Sequence, residues 1–113
     1  MDKVVFYKQV AKSIIEEVAA YFPENLPWEV QIVIDQERGQ YILLDVGWDK
    51  CTYLYGNIVH IFIKPDGKVW LQHDGTDLNI ALKMVEKGIP KKDIVLGFKE
   101  PMMRQMMEGW AVA

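Results

Sequence analysis

The first twenty or so residues carry apolar side chains at the spacing of an α-helix. The pattern predicts a helix over about residues 3–22 with one apolar stripe, formed by Tyr7, Val10, Ala11, Ile14, Val18 and Tyr21. Asp2 is suited to the N-cap, because its carboxylate can accept a hydrogen bond from a free backbone N–H. Pro23 and Pro27 in "FPENLP" cannot continue the helix, so they predict its end.

Four runs with the two-residue alternation of β-strands follow the helix. They read "WEVQIVID", "QYILLDVGW", "TYLYGNIVHIFIK" and "KVWLQH", and short turns such as "PDG" connect them. In the second run, one face is shared by Ile42, Leu44, Val46 and Trp48. Short connections favour an antiparallel meander over parallel strands, which need crossover connections.

The last third of the chain returns to a helical pattern. "TDLNIALKMVEKG" predicts a helix from Thr76 whose apolar face holds Leu78, Ala81, Leu82 and Val85. Gly88 suits the position after the C-cap, and Pro90 blocks continuation. "KKDIVLGF" predicts a turn and a short extended piece, and "EPMMRQMMEGW" predicts one or two helical turns from Pro101.

The order of these elements predicts an α+β fold in a single domain spanning residues 1–113. We expect an antiparallel four-stranded meander with an N-terminal helix and C-terminal helices packed on the sheet. The apolar fraction of 50% and the charged fraction of 26% are ordinary for a globular protein.

Charge and cysteine usage narrow the class of function. A net charge of −3 argues against direct duplex DNA binding, which needs clustered cations; Lys87, Lys91 and Lys92 form only a small basic corner. Cys51 is the single cysteine, so a reducing, cytoplasmic location is the simplest expectation. No apolar run approaches the ~20 residues of a membrane span.

The stretch "HDGTD" offers His73 and Asp74 as an acid/base pair or as part of a metal site. A zinc site needs three or four ligands, and the chain has only two histidines and one cysteine, so no metal or cofactor is predicted. Symmetry about the "PDG" turn places His60 opposite Gln72, which would leave His60 and His73 on different faces.

A structural interpretation of "HDGTD" is favoured over a catalytic one. Asp74 or Thr76 can cap the following helix, Gly75 allows the change of direction, and Asp77 in the first helical turn complements the helix dipole. On this interpretation, Asp74→Ala costs roughly 1 kcal/mol, as cap losses do. Asp45, Trp48, His73 and Asp74 are retained as a candidate functional motif, although a strand end also explains Asp45.

The methionines suggest an interface. Met102 and Met106, and Met103 and Met107, are i, i+4 pairs on a short helix that cannot bury both stripes against a single core. Methionine adapts to irregular surfaces, and Trp110 adds an aromatic anchor. These five residues are the candidate interface, either of a homodimer or with another protein; packing on the chain's own core is the alternative.

Several blocks together resemble the XisI family of small cyanobacterial proteins, named for control of excision of the fdxN nitrogen-fixation DNA element. They include "LLDVGWDK", "YGNIVHIFIKPDGKVWLQHDGTD", "GIPKKDIVLGF" and the terminal "AVA", and they run in order along nearly all of the chain. "MMRQMMEGW" departs from the family pattern. The resemblance implies an α+β fold and a non-enzymatic accessory role in site-specific excision, beside an XisH-like protein and a separate recombinase.

Two classes of function therefore stay open. The first is a protein-interaction factor with an XisH-like partner, for which the acidic balance suits a basic, DNA-binding partner. The alternative is a small hydrolase or nuclease-associated enzyme that uses His73 and Asp74.

Overall fold

The computed structural model describes residues 2–112, which form three α-helices and a five-stranded sheet. The helices are α1 (Lys3–Ala20), α2 (Ile80–Glu86) and α3 (Pro101–Met106). The strands are β1 (Trp28–Asp35), β2 (Gln40–Asp49), β3 (Thr52–Ile63), β4 (Val69–Asp74) and β5 (Ile94–Leu96), and a 3-10 turn covers Lys91–Asp93. The strand order across the sheet is β1-β2-β3-β4-β5. None of these helices is long and apolar enough to cross a membrane.

The α+β class and the antiparallel meander of β1 to β4 are confirmed, but the prediction of a purely antiparallel four-stranded sheet is wrong. β5 adds a fifth strand parallel to β4, with Val69 opposite Ile94 and Leu71 opposite Leu96. The segment containing α2 supplies the long connection that a parallel pair requires. All three β5 residues are buried, so "IVL" shows no alternation that could mark it as a strand.

Helix α1 begins where the sequence predicts. Asp2 is the N-cap, and its Oδ1 accepts a hydrogen bond of 2.9 Å from the Val4 N–H. The predicted stripe is buried from Tyr7 to Val18. The helix ends at Ala20, earlier than predicted, and Tyr21 at the C-cap is exposed rather than part of the stripe.

One face of the sheet carries the core, and it is not the face that bears the apolar series of β2. Tyr41 and Leu43 are fully buried and pack with α1, whereas Ile42 and Leu44 lie on the opposite face and are half-buried. Cross-strand register explains which face of β2 is buried, since Tyr41 lies opposite Ile61 and both belong to the core. The face away from α1, here called the open face, is therefore unusually apolar.

Helix α2 starts four residues later than predicted, at Ile80 instead of Thr76. Asn79 is the N-cap, in a left-handed conformation, and its Oδ1 accepts from the Leu82 N–H at 3.2 Å. The buried face also differs from the predicted one, since Ile80, Ala81 and Met84 are buried and Leu82 is exposed. Asp77 precedes the helix, so its predicted place in the first helical turn is wrong.

The end of α2 is predicted correctly. Gly88 has a φ of +109° and its N–H donates to the Val85 carbonyl, while the Ile89 N–H donates to the Met84 carbonyl, each at 3.0 Å. This pair of bonds is a Schellman motif, which favours glycine because other residues are strained at positive φ.

Buried Asp93 ties α1 to the segment before β5. The Tyr7 hydroxyl donates to its Oδ2 at 2.5 Å, and the Nζ atoms of Lys3 and Lys68 lie 3.5 and 3.7 Å from the carboxylate. Burial alone would raise the pKa of Asp93, but the Tyr7 hydrogen bond and the two cations outweigh it and lower the pKa. Burial, together with the carboxylate of Asp93, raises the pKa of Tyr7 to about 12.

Candidate functional site

Asp74 organises the connection between β4 and α2. Its Oδ1 accepts from the Thr76 N–H at 2.9 Å and from the Thr76 hydroxyl at 2.6 Å, and its Oδ2 accepts from the Ile80 N–H at 3.0 Å. Thr76 Oγ1 in turn accepts from the Leu78 N–H at 3.1 Å. The N-cap of α2 is Asn79, so the prediction that Asp74 or Thr76 is the cap is wrong in position. Asp74 still satisfies a free N–H at the start of α2, because Ile80 is the first residue of that helix. Both carboxylate oxygens are occupied by these bonds.

His60 and His73 lie directly opposite each other, so the prediction that they occupy different faces is wrong. Phe62 faces Trp70 as expected, but the register shifts between His60 and Ile61, and His73 takes the place predicted for Gln72. Both imidazoles therefore lie on the open face. Burial and the neighbouring His73 lower the pKa of His60, and its Nε2 lies 2.7 Å from Gln40 Oε1.

The four residues of the candidate functional motif do not come together. Asp45 lies on the helix side of β2 and accepts a 2.9 Å hydrogen bond from the Trp28 indole, whereas Trp48 lies on the open face. Asp74 ends β4, next to the loop that leads into α2. The His73 side chain lies on the opposite face of β4 from the Asp74 side chain. Across residues 2–112, no group of three or more His, Cys, Asp or Glu side chains is arranged to hold a metal ion.

A cleft of about 520 Å³ lies away from both His73 and Asp74. It opens between the start of α1 and the β1–β2 and β3–β4 turns, and its charged lining residues are Asp2, Lys8, Glu37 and Arg38. These charges are balanced, and none of the candidate functional residues lines the cleft.

An aromatic cluster at the β2–β3 hairpin was missed by sequence reasoning. The Trp48 and Tyr53 rings lie 4.9 Å apart across the two strands, and Tyr55 stacks parallel to Tyr53 at 6.3 Å. All three side chains are exposed, and Tyr55 is 70% exposed. The signal was available: Tyr53 and Tyr55 are two residues apart on one strand, and Trp48 is symmetric with Tyr53 about the short turn.

Helix α3 exposes most of the methionines predicted to form an interface. Met102 and Met106 are 70% and 78% exposed, and Met103 is half-exposed. Met107 and Trp110 instead are partly buried and pack against the chain's own core. The structure thus separates the five predicted residues into an exposed group of three, here called the methionine surface, and a pair that anchors the segment.

Arg104 is the buried residue of α3. It is only 9% exposed, its guanidinium carbon lies 5.3 Å from the centroid of the Trp70 ring, and Lys64 Nζ lies 4.3 Å from the same ring. Arg104 Nε and Nη1 have no hydrogen-bond partner within the described chain. Cation–π attraction to Trp70 helps to hold α3 against the open face.

The basic corner is partly occupied by internal contacts. Lys87 Nζ lies 2.8 Å from Glu17, and Lys91 Nζ lies 5.1 Å from the centroid of the Trp110 ring. Lys92 is exposed. The corner therefore presents less free positive charge than the sequence suggests.

The fold and these side chains define a small α+β protein with α1 and α2 packed on one face of a mixed sheet and α3 against part of the apolar open face. The family model described as "XisI protein" matches residues 1–112, so the chain belongs to the XisI family. No curated protein is significantly similar to it.

Two solved structures are similar to this chain over nearly its whole length. The XisI-like protein from Anabaena variabilis ATCC 29413 is 37% identical with a TM-score of 0.90, and the match covers 97% of this chain and 99% of that one. The fdxN element excision controlling factor XisI from the same organism is 32% identical with a TM-score of 0.87, and the match covers 99% and 100%. The family resemblance predicted from the sequence is confirmed.

Proposed function

We propose that this protein is an accessory factor that controls excision of a DNA element of the fdxN type. The observation that carries the proposal is the similarity, over 99% of the chain and at a TM-score of 0.87, to a protein named as the fdxN element excision controlling factor. The match also covers 100% of that solved chain.

The proposed mode of action is contact with another protein rather than catalysis. The hydrolase alternative needs His73 and Asp74 to act together, but their side chains lie on opposite faces of β4 and both oxygens of Asp74 are engaged in the α2 loop. General acid–base catalysis requires the two groups to reach one substrate atom. This arrangement supports a structural role for Asp74.

The proposed partner is an XisH-like protein, and the proposed contact is the methionine surface. Exposed methionines adapt to a partner's shape and add apolar area to an interface. The net charge of −3 gives this protein a field complementary to a basic, DNA-binding partner, which speeds encounter.

Co-purification with an XisH-like protein encoded in the same genome tests the partner. The informative variant is Met102→Glu with Met106→Glu, since both side chains are exposed and neither supports the core. Glu substitution at Met107 would be uninformative because Met107 packs against the core. The matched control is Val5→Glu with Leu82→Glu, which places two carboxylates at exposed apolar sites on other helices.

We expect the methionine variant to lose the complex and the control to keep it, with unchanged circular dichroism for both. Retention of the complex by the methionine variant would place the contact elsewhere. An excision assay distinguishes the protein-contact role from the enzymatic alternative. His73→Ala should leave excision unchanged. A folded His73→Ala protein that fails to support excision would favour catalysis.

A further inference from the structure

The N-terminal half of β3 has a free edge. β4 pairs with β3 only between Val59 and Ile63, and the Gly75 N–H donates to the Ile58 carbonyl where that pairing ends. Residues 52–57 are bonded to β2 on one side, and no described strand lies on the other. In an antiparallel ladder, alternate residues of such a segment direct their N–H and C=O groups outward.

This edge lacks the charged residues and proline that commonly prevent strand pairing. Its sequence, "TYLYGN", contains no charged residue and no proline. The β1 edge differs, because β1 carries Glu29 and Asp35, and the β5 edge is covered where the Ala111 N–H donates to the Ile94 carbonyl at 2.9 Å. Among the sheet edges in residues 2–112, the free half of β3 is therefore the one with neither a charged residue nor a covering segment.

We propose that a second copy of this chain pairs antiparallel with residues 52–56 of β3 about a two-fold axis at Leu54. A two-fold axis perpendicular to the sheet keeps each face on its own side, so opposed residues must share a face. With the axis at Leu54, Tyr53 lies opposite Tyr55 of the second copy, and the aromatic cluster continues across the interface. The five-stranded sheet becomes a ten-stranded one.

The neighbouring backbone excludes a later register. An axis one residue later, at Tyr55, would place Thr52 opposite Ile58, whose carbonyl is already bonded to Gly75. With the axis at Leu54, pairing uses the free residues alone. The hairpin tip at Lys50 then lies beside the loop that bears Asp77 in the second copy.

The charges at the ends of the edge are complementary in this arrangement. Lys50 and Asp77 are both exposed, and they lie at opposite ends of the free segment, so an antiparallel two-fold brings each to the other. An uncharged middle also avoids repulsion between two copies that each carry a net charge of −3. These features fit a second copy better than an unrelated strand. The inference is independent of the excision role and leaves the methionine surface free.

Light scattering on the full chain with edge variants tests the pairing. Wild type should have twice the monomer mass of 13.1 kDa, and Tyr55→Lys should have the monomer mass with unchanged circular dichroism. Val33→Lys is the matched control, because Val33 is an exposed apolar residue on the other outer strand, and it should remain dimeric. Met102→Glu with Met106→Glu should also remain dimeric. A monomeric wild type, a dimeric Tyr55→Lys variant, or a dimer lost in either control overturns the proposal.

Disulfide trapping tests the register without relying on a destabilised variant. Opposed residues in an antiparallel pair have Cα atoms about 4.5–5.5 Å apart, within the range of about 4.4–6.8 Å that a disulfide spans. Leu54→Cys in a Cys51→Ser background should therefore cross-link on oxidation. The native Cys51 is the control: its two copies would be roughly 20 Å apart and should not cross-link. Cross-linking through Cys51, or none through residue 54, contradicts this register.

Discussion

Replacing Asp74 by alanine removes three hydrogen bonds with one change. The Thr76 N–H and hydroxyl lose their acceptor at Oδ1, and the Ile80 N–H loses its acceptor at Oδ2. The loop is half-buried, so water can replace Asp74 at Thr76. The Ile80 N–H belongs to a residue whose side chain is fully buried, and it is the donor least able to find water.

We expect Asp74→Ala to lower the free energy of unfolding by about 2 kcal/mol, at the upper end of measured cap losses. This is more than the roughly 1 kcal/mol expected for a simple cap, because the same carboxylate also orders the turn before the helix. For a domain of this size, such a loss lowers the melting temperature by roughly 8–10 °C. Asp74→Asn keeps one carbonyl acceptor and should lose about half as much.

Urea unfolding followed by circular dichroism measures the change, with Asp77→Ala as the matched control. Asp77 is three residues away in the same loop, is exposed, and makes no side-chain hydrogen bond within residues 2–112. Asp77→Ala should change stability by less than about 0.5 kcal/mol, as surface substitutions do. If Asp74→Ala is no more destabilising than Asp77→Ala, the capping argument fails and another role for Asp74 must be sought.

Three further predictions concern charge and protonation. Tyr7→Phe should lower the free energy of unfolding by about 1–2 kcal/mol, because it leaves Asp93 without its closest hydrogen-bond donor. The same change should raise the pKa of Asp93, so on acidification the variant should lose stability at a higher pH than wild type. Urea unfolding between pH 2 and pH 5 measures both effects. Because the pKa of His60 is lowered in the folded state, the unfolded chain binds the proton first as the pH decreases. The free energy of unfolding should therefore fall as the pH decreases through about 6.5. His60→Gln should flatten this pH dependence of stability, and an unchanged slope would assign the dependence to another group. In a low-salt mobility-shift titration the protein should not bind duplex DNA, because its net charge is −3 and Lys87 and Lys91 are engaged in internal contacts. A submicromolar complex that weakens steeply with salt would instead reveal a local basic face.

The sequence alone determined the local elements of this protein and its family. Helix α1 and its Asp2 cap, the four strands of the meander, and the glycine that ends α2 all follow from short-range rules of periodicity and backbone conformation. Those rules depend on residues within a few positions of one another, which a sequence displays directly. The structural role of Asp74 was also accessible, because its hydrogen bonds reach residues only two and six positions later, although the N-cap itself is Asn79.

Only the tertiary structure decided the features that depend on long-range pairing. β5 is three buried residues whose strand character comes from β4 and not from its own pattern. The His60–His73 pair follows from a register shift of one residue, which reverses the faces that turn symmetry predicts. The core side of β2 was likewise set by its partners: alternation identifies two faces, but contact with α1 decides which one is buried. The free edge of β3 exists because β4 is half its length, and that difference matters only once the two strands are side by side.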